Sequence, residues 1–128
     1  MTTTDLTHDT FASTITGNPI VLVDFWAAYC RPCRAFAPVY ERSAQTHPEI
    51  VHAKVDTQAE PELAATLGIR SVPTIMAFRD GVLVYSQAGA MAPAVLEDLI
   101  AQVRALDMAA VRTKIAGRKA EAARRRPA

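Results

Sequence analysis

Cys30 and Cys33 are the only cysteines in the 128-residue chain, and they stand three apart in Tyr29-Cys30-Arg31-Pro32-Cys33. A thiol pair at that spacing can do two kinds of chemistry. It can cycle between dithiol and disulfide, with a thiolate as the attacking group. It can also supply half of a zinc site, which needs about four ligands. No second cysteine pair exists, and His8, His47 and His52 have no matching spacing, so the metal reading is short of ligands. A structural staple fits poorly as well. Closing a loop between positions three apart stabilises little, and a reducing cytoplasm disfavours a permanent bridge.

The elements that must hold this pair follow from hydrophobic pattern and turn residues. Ile20-Val21-Leu22-Val23-Asp24-Phe25-Trp26 is the strongest strand signal, apolar on both faces as a central parallel strand requires. It hands the chain through Ala27 to Cys30. A helix is predicted to begin near Cys33, because Phe36, Val39 and Tyr40 recur at helical spacing. Pro38 falls inside that helix and predicts a kink. Upstream, Leu6 belongs to a short edge strand, and Thr7 caps a first helix that Phe11 and Ile15 anchor and Gly17 ends. Downstream, Ile50 to Val55 reads as a second core strand. Glu60-Pro61-Glu62 opens a helix carrying Leu63 and Leu67, with Gly68 as its stop. Thr74 to Phe78 is a third core strand, and Asp80-Gly81 makes a tight hairpin to Val82–Tyr85. Pro93 then opens a helix whose Val95, Leu96, Leu99, Ile100 and Val103 form one apolar stripe. The order β-α-β-α-β-α-β-β-α describes an α/β protein with one mixed sheet flanked by helices.

Composition sets the frame. The length fits one domain with enough chain for a core, and 50% apolar with 21% charged residues is a soluble globular balance. No apolar run approaches the roughly 20 residues of a membrane helix. Met1 to Pro19 carries Asp5 and Asp9, without a basic start or an apolar segment. No secretory signal is therefore expected, and a cytoplasmic location is. Charge divides the chain: residues 1–106 hold 7 basic and 11 acidic residues, whereas residues 107–128 hold 7 basic and 2 acidic ones. The predicted organisation is a folded domain over 1–106 and a basic extension over 107–128. Met108, Val111 and Ile115 keep helical spacing, so the last helix is expected to run on to Gly117, with a disordered remainder. Arg124-Arg125-Arg126 could face an anionic surface, against the plainer reading of a solvated tail. No aromatic interleaves these charges, so nucleic-acid binding is not expected.

Several separated segments resemble the thioredoxin family, in the family's order. Val23-Asp24-Phe25-Trp26-Ala27 is similar to the strand leading into the thioredoxin active site, and Pro38 matches the proline of the helix after it. Lys54-Val55-Asp56 resembles the third strand. Gly68-Ile69-Arg70-Ser71-Val72-Pro73-Thr74 is similar to the segment holding the family's cis-proline. Phe78-Arg79-Asp80-Gly81 and Gly89-Ala90 match later landmarks. The similarity spans roughly residues 5–106, and the wording is nearest to bacterial thioredoxins of the second type. Some of those carry an extra N-terminal zinc module with its own cysteines; none is expected here, since the sequence holds no cysteine besides Cys30 and Cys33. Two positions depart from the pattern: Arg31-Pro32 replaces the usual Gly-Pro between the cysteines, and Tyr29 replaces the usual Trp.

The resemblance implies a thioredoxin fold and a thiol–disulfide oxidoreductase that reduces protein disulfides through Cys30 and Cys33. It implies no bound cofactor beyond that redox-active disulfide and no metal. Its partners would be client proteins and a flavin-dependent thioredoxin reductase using NADPH, with the chain acting as a monomer away from membranes. Cys30 at a strand-to-helix turn is expected near free backbone N–H groups, where a thiol's ordinary value of about 8.5 falls to about 7 or below. Pro32 fits the first helical turn without losing a needed donor. Cys33, one turn in, is expected to be more buried and to resolve the mixed disulfide. Asp24, alone in an apolar strand, is expected to have a raised pKa, against the reading of a strand-end carboxylate that reaches water. The family match makes it the proton acceptor for Cys33, with Lys54 beside it. Pro73 by itself reads as a strand-start proline in trans, whereas the family match makes Val72–Pro73 cis. Trp26, Tyr29, Ser71, Val72, Gly89 and Ala90 would rim the site and receive an extended substrate strand; for Trp26, plain core packing is the other reading. Arg31 either stabilises the Cys30 thiolate, giving a more oxidising protein, or points into solvent with little effect. The competing functions are a dedicated redox partner of one client and a binding subunit without redox turnover. The three histidines are read as surface or edge residues, without a site role.

Overall fold

The computed structural model describes residues 3–126. The first nine elements follow the predicted order: β1 (Thr3–Asp5), α1 (His8–Thr16), β2 (Ile20–Trp26), α2 (Arg31–Thr46), β3 (Val51–Asp56), α3 (Pro61–Thr66), β4 (Thr74–Arg79), β5 (Val82–Ala88) and α4 (Pro93–Ala105). A tenth element, α5 (Met108–Arg125), closes the chain. The five strands form one sheet in the order β1-β3-β2-β4-β5. β1 and β2 pair parallel to β3, and β4 runs antiparallel to both β2 and β5. The most apolar strand, β2, is thus central, with both faces covered.

Alternation along β2 sorts its side chains between two cores. Val21, Val23 and Phe25 join Phe11, Ile15, Ala53, Val55, Leu63 and Met76 on one face. Leu22 joins Phe36, Tyr40, Ile75, Leu96 and Ile100 on the other. The first core lies under α1 and α3, the second under α2 and α4. Asp24 has the parity of Leu22, so it sits on the face that α2 covers. The Asp80-Gly81 hairpin forms as predicted: φ is 52° at Asp80 and 80° at Gly81, the two positive values a two-residue turn of this twist requires.

Four expectations need correction. Leu6 lies just past β1, which ends at Asp5, and its N–H still donates to the Lys54 carbonyl at 2.8 Å. α2 begins at Arg31 rather than near Cys33, because Cys30 itself takes the N-cap position. β5 runs past Tyr85 to Ala88, since Ser86 and Ala88 find partners in Met76 and Thr74. The last helix does not run on from α4 and does not end at Gly117. Leu106 is extended, with φ −61° and ψ 136°, and Asp107 starts a new helix by accepting the Ala110 N–H at 3.1 Å. That helix passes Gly117 and reaches Arg125 in place of a disordered remainder. Alanine, arginine and lysine are strong helix formers, and a Glu121–Arg125 pair four residues apart adds to them. The outer ends of the two predicted segments, residues 1–2 and 127–128, lie outside the described residues.

Candidate active site

Cys30 and Cys33 form a disulfide, with their Cα atoms 5.2 Å apart. The pair spans the first turn of α2: Cys30 caps the helix, Arg31 and Pro32 take the first two helical positions, and Cys33 the third. The Cys33 N–H donates to the Cys30 sulfur at 3.1 Å. This N–H is one of the first-turn donors without a helical acceptor, and it points at the atom that would carry negative charge in the reduced state. Both cysteines are buried, Cys30 at 7% exposure and Cys33 at 4%. The expected contrast in burial is therefore small in the oxidised state.

The disulfide packs with Ala27, Trp26 and Val72. The Val72–Pro73 peptide bond is cis, and the Val72 carbonyl oxygen lies 3.5 Å from the Cys30 sulfur. Gly89 donates its N–H to the Pro73 carbonyl at 2.8 Å. Its φ of 109° is a conformation that side chains other than glycine's rarely adopt. That bond holds Gly89 and Ala90 beside Pro73 and exposed to solvent. Ser71 is exposed too, and its carbonyl accepts from Thr74 Oγ1 at 2.7 Å. Tyr29 stands out from the surface at 68% exposure and shares a shallow crevice with Thr57, Ile69, Arg70, Ser71 and Val72. Trp26 is half-buried. Its ring face carries the Lys54 Nζ at 5.0 Å from the centroid, and its indole N–H is buried without a partner among the described residues.

Asp24 is 1% exposed. Its neighbour in register on β3 is Lys54, and one of its carboxylate oxygens is buried without a hydrogen-bond partner among the described residues. Burial pushes the Asp24 carboxyl up from 3.8 to about 7, and the Lys54 charge offsets only part of that. The strand-end reading of Asp24 is thereby removed. One histidine also departs from expectation. His52 is buried against the Tyr40 ring, bonded through Nδ1 to the Ile50 carbonyl at 3.0 Å and through Nε2 to Ser43 Oγ at 2.9 Å. Nδ1 must donate to the carbonyl, and burial lowers the pKa of the ring and keeps it neutral, so Nε2 accepts from the serine.

The family model for thioredoxin matches residues 2–102. The chain belongs to the thioredoxin family. It is 49% identical over 120 residues to putative thioredoxin 2 of Streptomyces coelicolor, covering 94% of this chain and 90% of that one. It is 40% identical over 102 residues to thioredoxin of Alicyclobacillus acidocaldarius, covering 79% and 97%. Among solved structures, a thioredoxin from Halobacterium salinarum NRC-1 superposes with a TM-score of 0.75 at 32% identity, covering 80% of this chain and 91% of that one. Thioredoxin of Plasmodium falciparum gives 0.72 at 34%, covering 77% and 97%. With the cysteine pair bonded at the helix start, this thioredoxin-family chain is a thiol–disulfide oxidoreductase that reduces disulfides by exchange.

The fold thus brings Cys30, Cys33, Pro73, Val72, Trp26 and Tyr29 into one patch, with Ser71, Gly89 and Ala90 at its edge. Asp24 and Lys54 lie on the strands beneath α2. Sequence reasoning missed Arg34 and Arg70 as members of the same surface. Arg34 donates to the Ala28 carbonyl at 2.7 Å, beside Tyr29. No spacing rule links residues 28, 34 and 70; only the folded loops do. Among the described residues no group of three or more His, Cys, Asp or Glu side chains is arranged to hold a metal ion.

Proposed function

We propose that Cys30 is the attacking and Cys33 the resolving thiol of a general protein-disulfide reductase. The observation that carries this reading is the Cys33 N–H aimed at the Cys30 sulfur at the start of α2. A sulfur held there loses its proton more readily than a free thiol. In the reduced protein the Cys30 thiolate attacks one sulfur of a client disulfide. The client S–S bond breaks, one client thiolate leaves, and a mixed disulfide joins the client to Cys30. Cys33 then gives its proton to the Asp24 carboxylate and attacks the Cys30 sulfur. The second client thiolate departs, and the Cys30–Cys33 disulfide closes. The client has gained two electrons.

A carboxyl that titrates near 7 suits this step, since it is partly ionised at neutral pH and accepts a proton at little cost. Lys54, next to it in register, keeps that value from rising further. The edge around Val72 and Gly89 suits an extended client strand, which would add main-chain hydrogen bonds. The two electrons that restore the dithiol would come from a flavin-dependent thioredoxin reductase fed by NADPH, with the chain working as a cytoplasmic monomer. A dedicated partner of more oxidising potential is the second reading, and the exposed Arg31 directly after Cys30 favours it. Insulin-disulfide reduction tests the first. Cys30→Ser should abolish turnover, whereas Cys33→Ser should accumulate a client adduct that dithiothreitol releases. Turnover by Cys30→Ser, or an adduct through Cys33, would reverse the assignment. The reduction potential of the parent against Arg31→Gly tests the second, and equal values would sink it.

A further inference from the structure

We infer that the active-site face selects client disulfides flanked by carboxylates, through a set of cations that the rest of the domain does not share. This rests on the reductase reading and adds a specificity to it. Residues 1–106 contain 11 acidic and only 7 basic residues. Three of those seven, Arg31, Arg34 and Arg70, lie on the surface around the disulfide, and a fourth, Lys54, lies beneath it on β3 beside Asp24. Arg31 follows Cys30 directly and is exposed. Arg34 is held against the Ala28 carbonyl. Arg70 lines the crevice that Tyr29 and Val72 also line, and Val72 touches the Cys30 sulfur. Lys54 sits on the Trp26 ring.

The remaining three basic residues are placed elsewhere. Arg79 caps the end of α4 through the Val103 carbonyl at 2.7 Å, Arg104 pairs with Glu49, and Arg42 lies in the groove between α2 and α4. Among the described residues no ion pair engages Arg31, Arg34 or Arg70. The two carboxylates nearest the crevice in sequence keep their charge but are turned to backbone donors rather than to these arginines. Asp56 accepts the Gln58 N–H at 2.9 Å, and Glu60 accepts the His8 N–H at 2.7 Å. Asp24 is buried beneath the surface. A net-acidic body therefore presents a locally cationic mouth at the one place where a client must approach within bonding distance.

The fitting occupant is an extended peptide with Asp or Glu within a few residues of its cysteine. Its carboxylates would meet the Arg31, Arg34 and Arg70 guanidiniums, where paired charges set encounter rate and register more than final affinity. A client with lysines at those positions would meet like charges.

The test uses two disulfide-linked peptides identical except for Glu or Lys flanking the cysteine, and the full-length reduced protein. The expected second-order rate constant at low ionic strength is about ten-fold higher for the Glu peptide, and the ratio should collapse in 0.5 M salt. The triple variant Arg31→Gln, Arg34→Gln, Arg70→Gln should bring the low-salt ratio close to one. Both peptides meet the same thiolate, so the ratio is blind to any change in Cys30 reactivity. Equal rates for the two peptides in the parent would overturn the inference while leaving the reductase reading intact. A ratio that the triple variant does not change would overturn it as well. Reduction of neither peptide would count against the reductase reading itself. The salt dependence of the parent needs no variant, so the inference stays testable if the triple variant fails to fold.

Discussion

A carboxyl group on the covered face of a sheet binds its proton more tightly than the same group in an unfolded chain, and Asp24 turns that into a pH dependence. Its folded value is about 7, against an ordinary value of 3.8 for a carboxyl in water. Between these values the folded state holds a proton that the unfolded state has released. Stability therefore falls as pH rises from about 4 to about 7 and levels off above. A shift of this size corresponds to a few kcal/mol at most. Asp24→Asn should raise stability by roughly 2–4 kcal/mol at pH 8, with the difference vanishing near pH 4. Urea unfolding of the oxidised protein at the two pH values measures it. A gain of equal size at both would mean that ionisation is not the cause. The same variant should slow mixed-disulfide resolution and flatten its pH profile between 6 and 8, read by single-turnover kinetics; an unchanged profile would remove Asp24 from the mechanism. The burial of Asp24 was legible because six apolar neighbours in one strand leave a carboxylate no route to water. The company of Arg34 and Arg70 was not legible, because loops distant in sequence meet only through the fold.

At the scale of elements, α2 has to be fixed to the sheet that carries Asp24, and one polar contact inside the core does part of this. Ser43 on α2 donates to His52 on β3 in a setting closed to solvent. Ser43→Ala would leave the imidazole Nε2 buried and unpaired, at a cost of about 1–3 kcal/mol. Urea midpoints at pH 7.5 check this; a loss below about 0.5 kcal/mol would mean that the ring finds another donor. Burial lowers the His52 pKa below 6.5. The unfolded chain therefore takes up a proton first as pH drops, and this group removes stability below pH 6.5. Its burial was hidden in the sequence: a histidine in an alternating strand reads equally well as an edge residue until the helix above it is placed. Strand cores, the Asp80-Gly81 turn and the proline-marked helix starts were legible from local chemistry alone. The break at Leu106-Asp107 was not, because Met108, Val111 and Ile115 keep the helical spacing that the apolar residues of α4 also show. A single Asp acting as an N-cap looks the same in sequence as an exposed Asp within a helix. Asp107→Ala should cost α5 about 1 kcal/mol, visible as lost protection of the Ala110 and Val111 amides in hydrogen exchange while the sheet amides are unaffected.

The molecule as a whole divides into a sandwich that holds the chemistry and a cationic helix that holds little of the core. All three core clusters draw their members from residues 6–103. In α5 only Met108 is buried, and Arg112 reaches Asp80 at 3.9 Å between exposed groups. Deleting residues 108–128 should therefore cost about 1–2 kcal/mol from the lost Met108 packing and leave insulin reduction within two-fold of the full chain. Thermal melts and the turbidity assay measure the two. The deletion also separates two sources of positive charge. It removes all 7 basic residues of the extension, but none of Arg31, Arg34, Lys54 and Arg70. If short-range cations at the disulfide set client preference, the Glu-to-Lys rate ratio survives the deletion, because charges beyond about 10 Å are largely screened at 0.1 M salt. If the ratio collapses on deletion, the field of the extension steers clients instead, and the preference belongs to the whole molecule rather than to its active-site face.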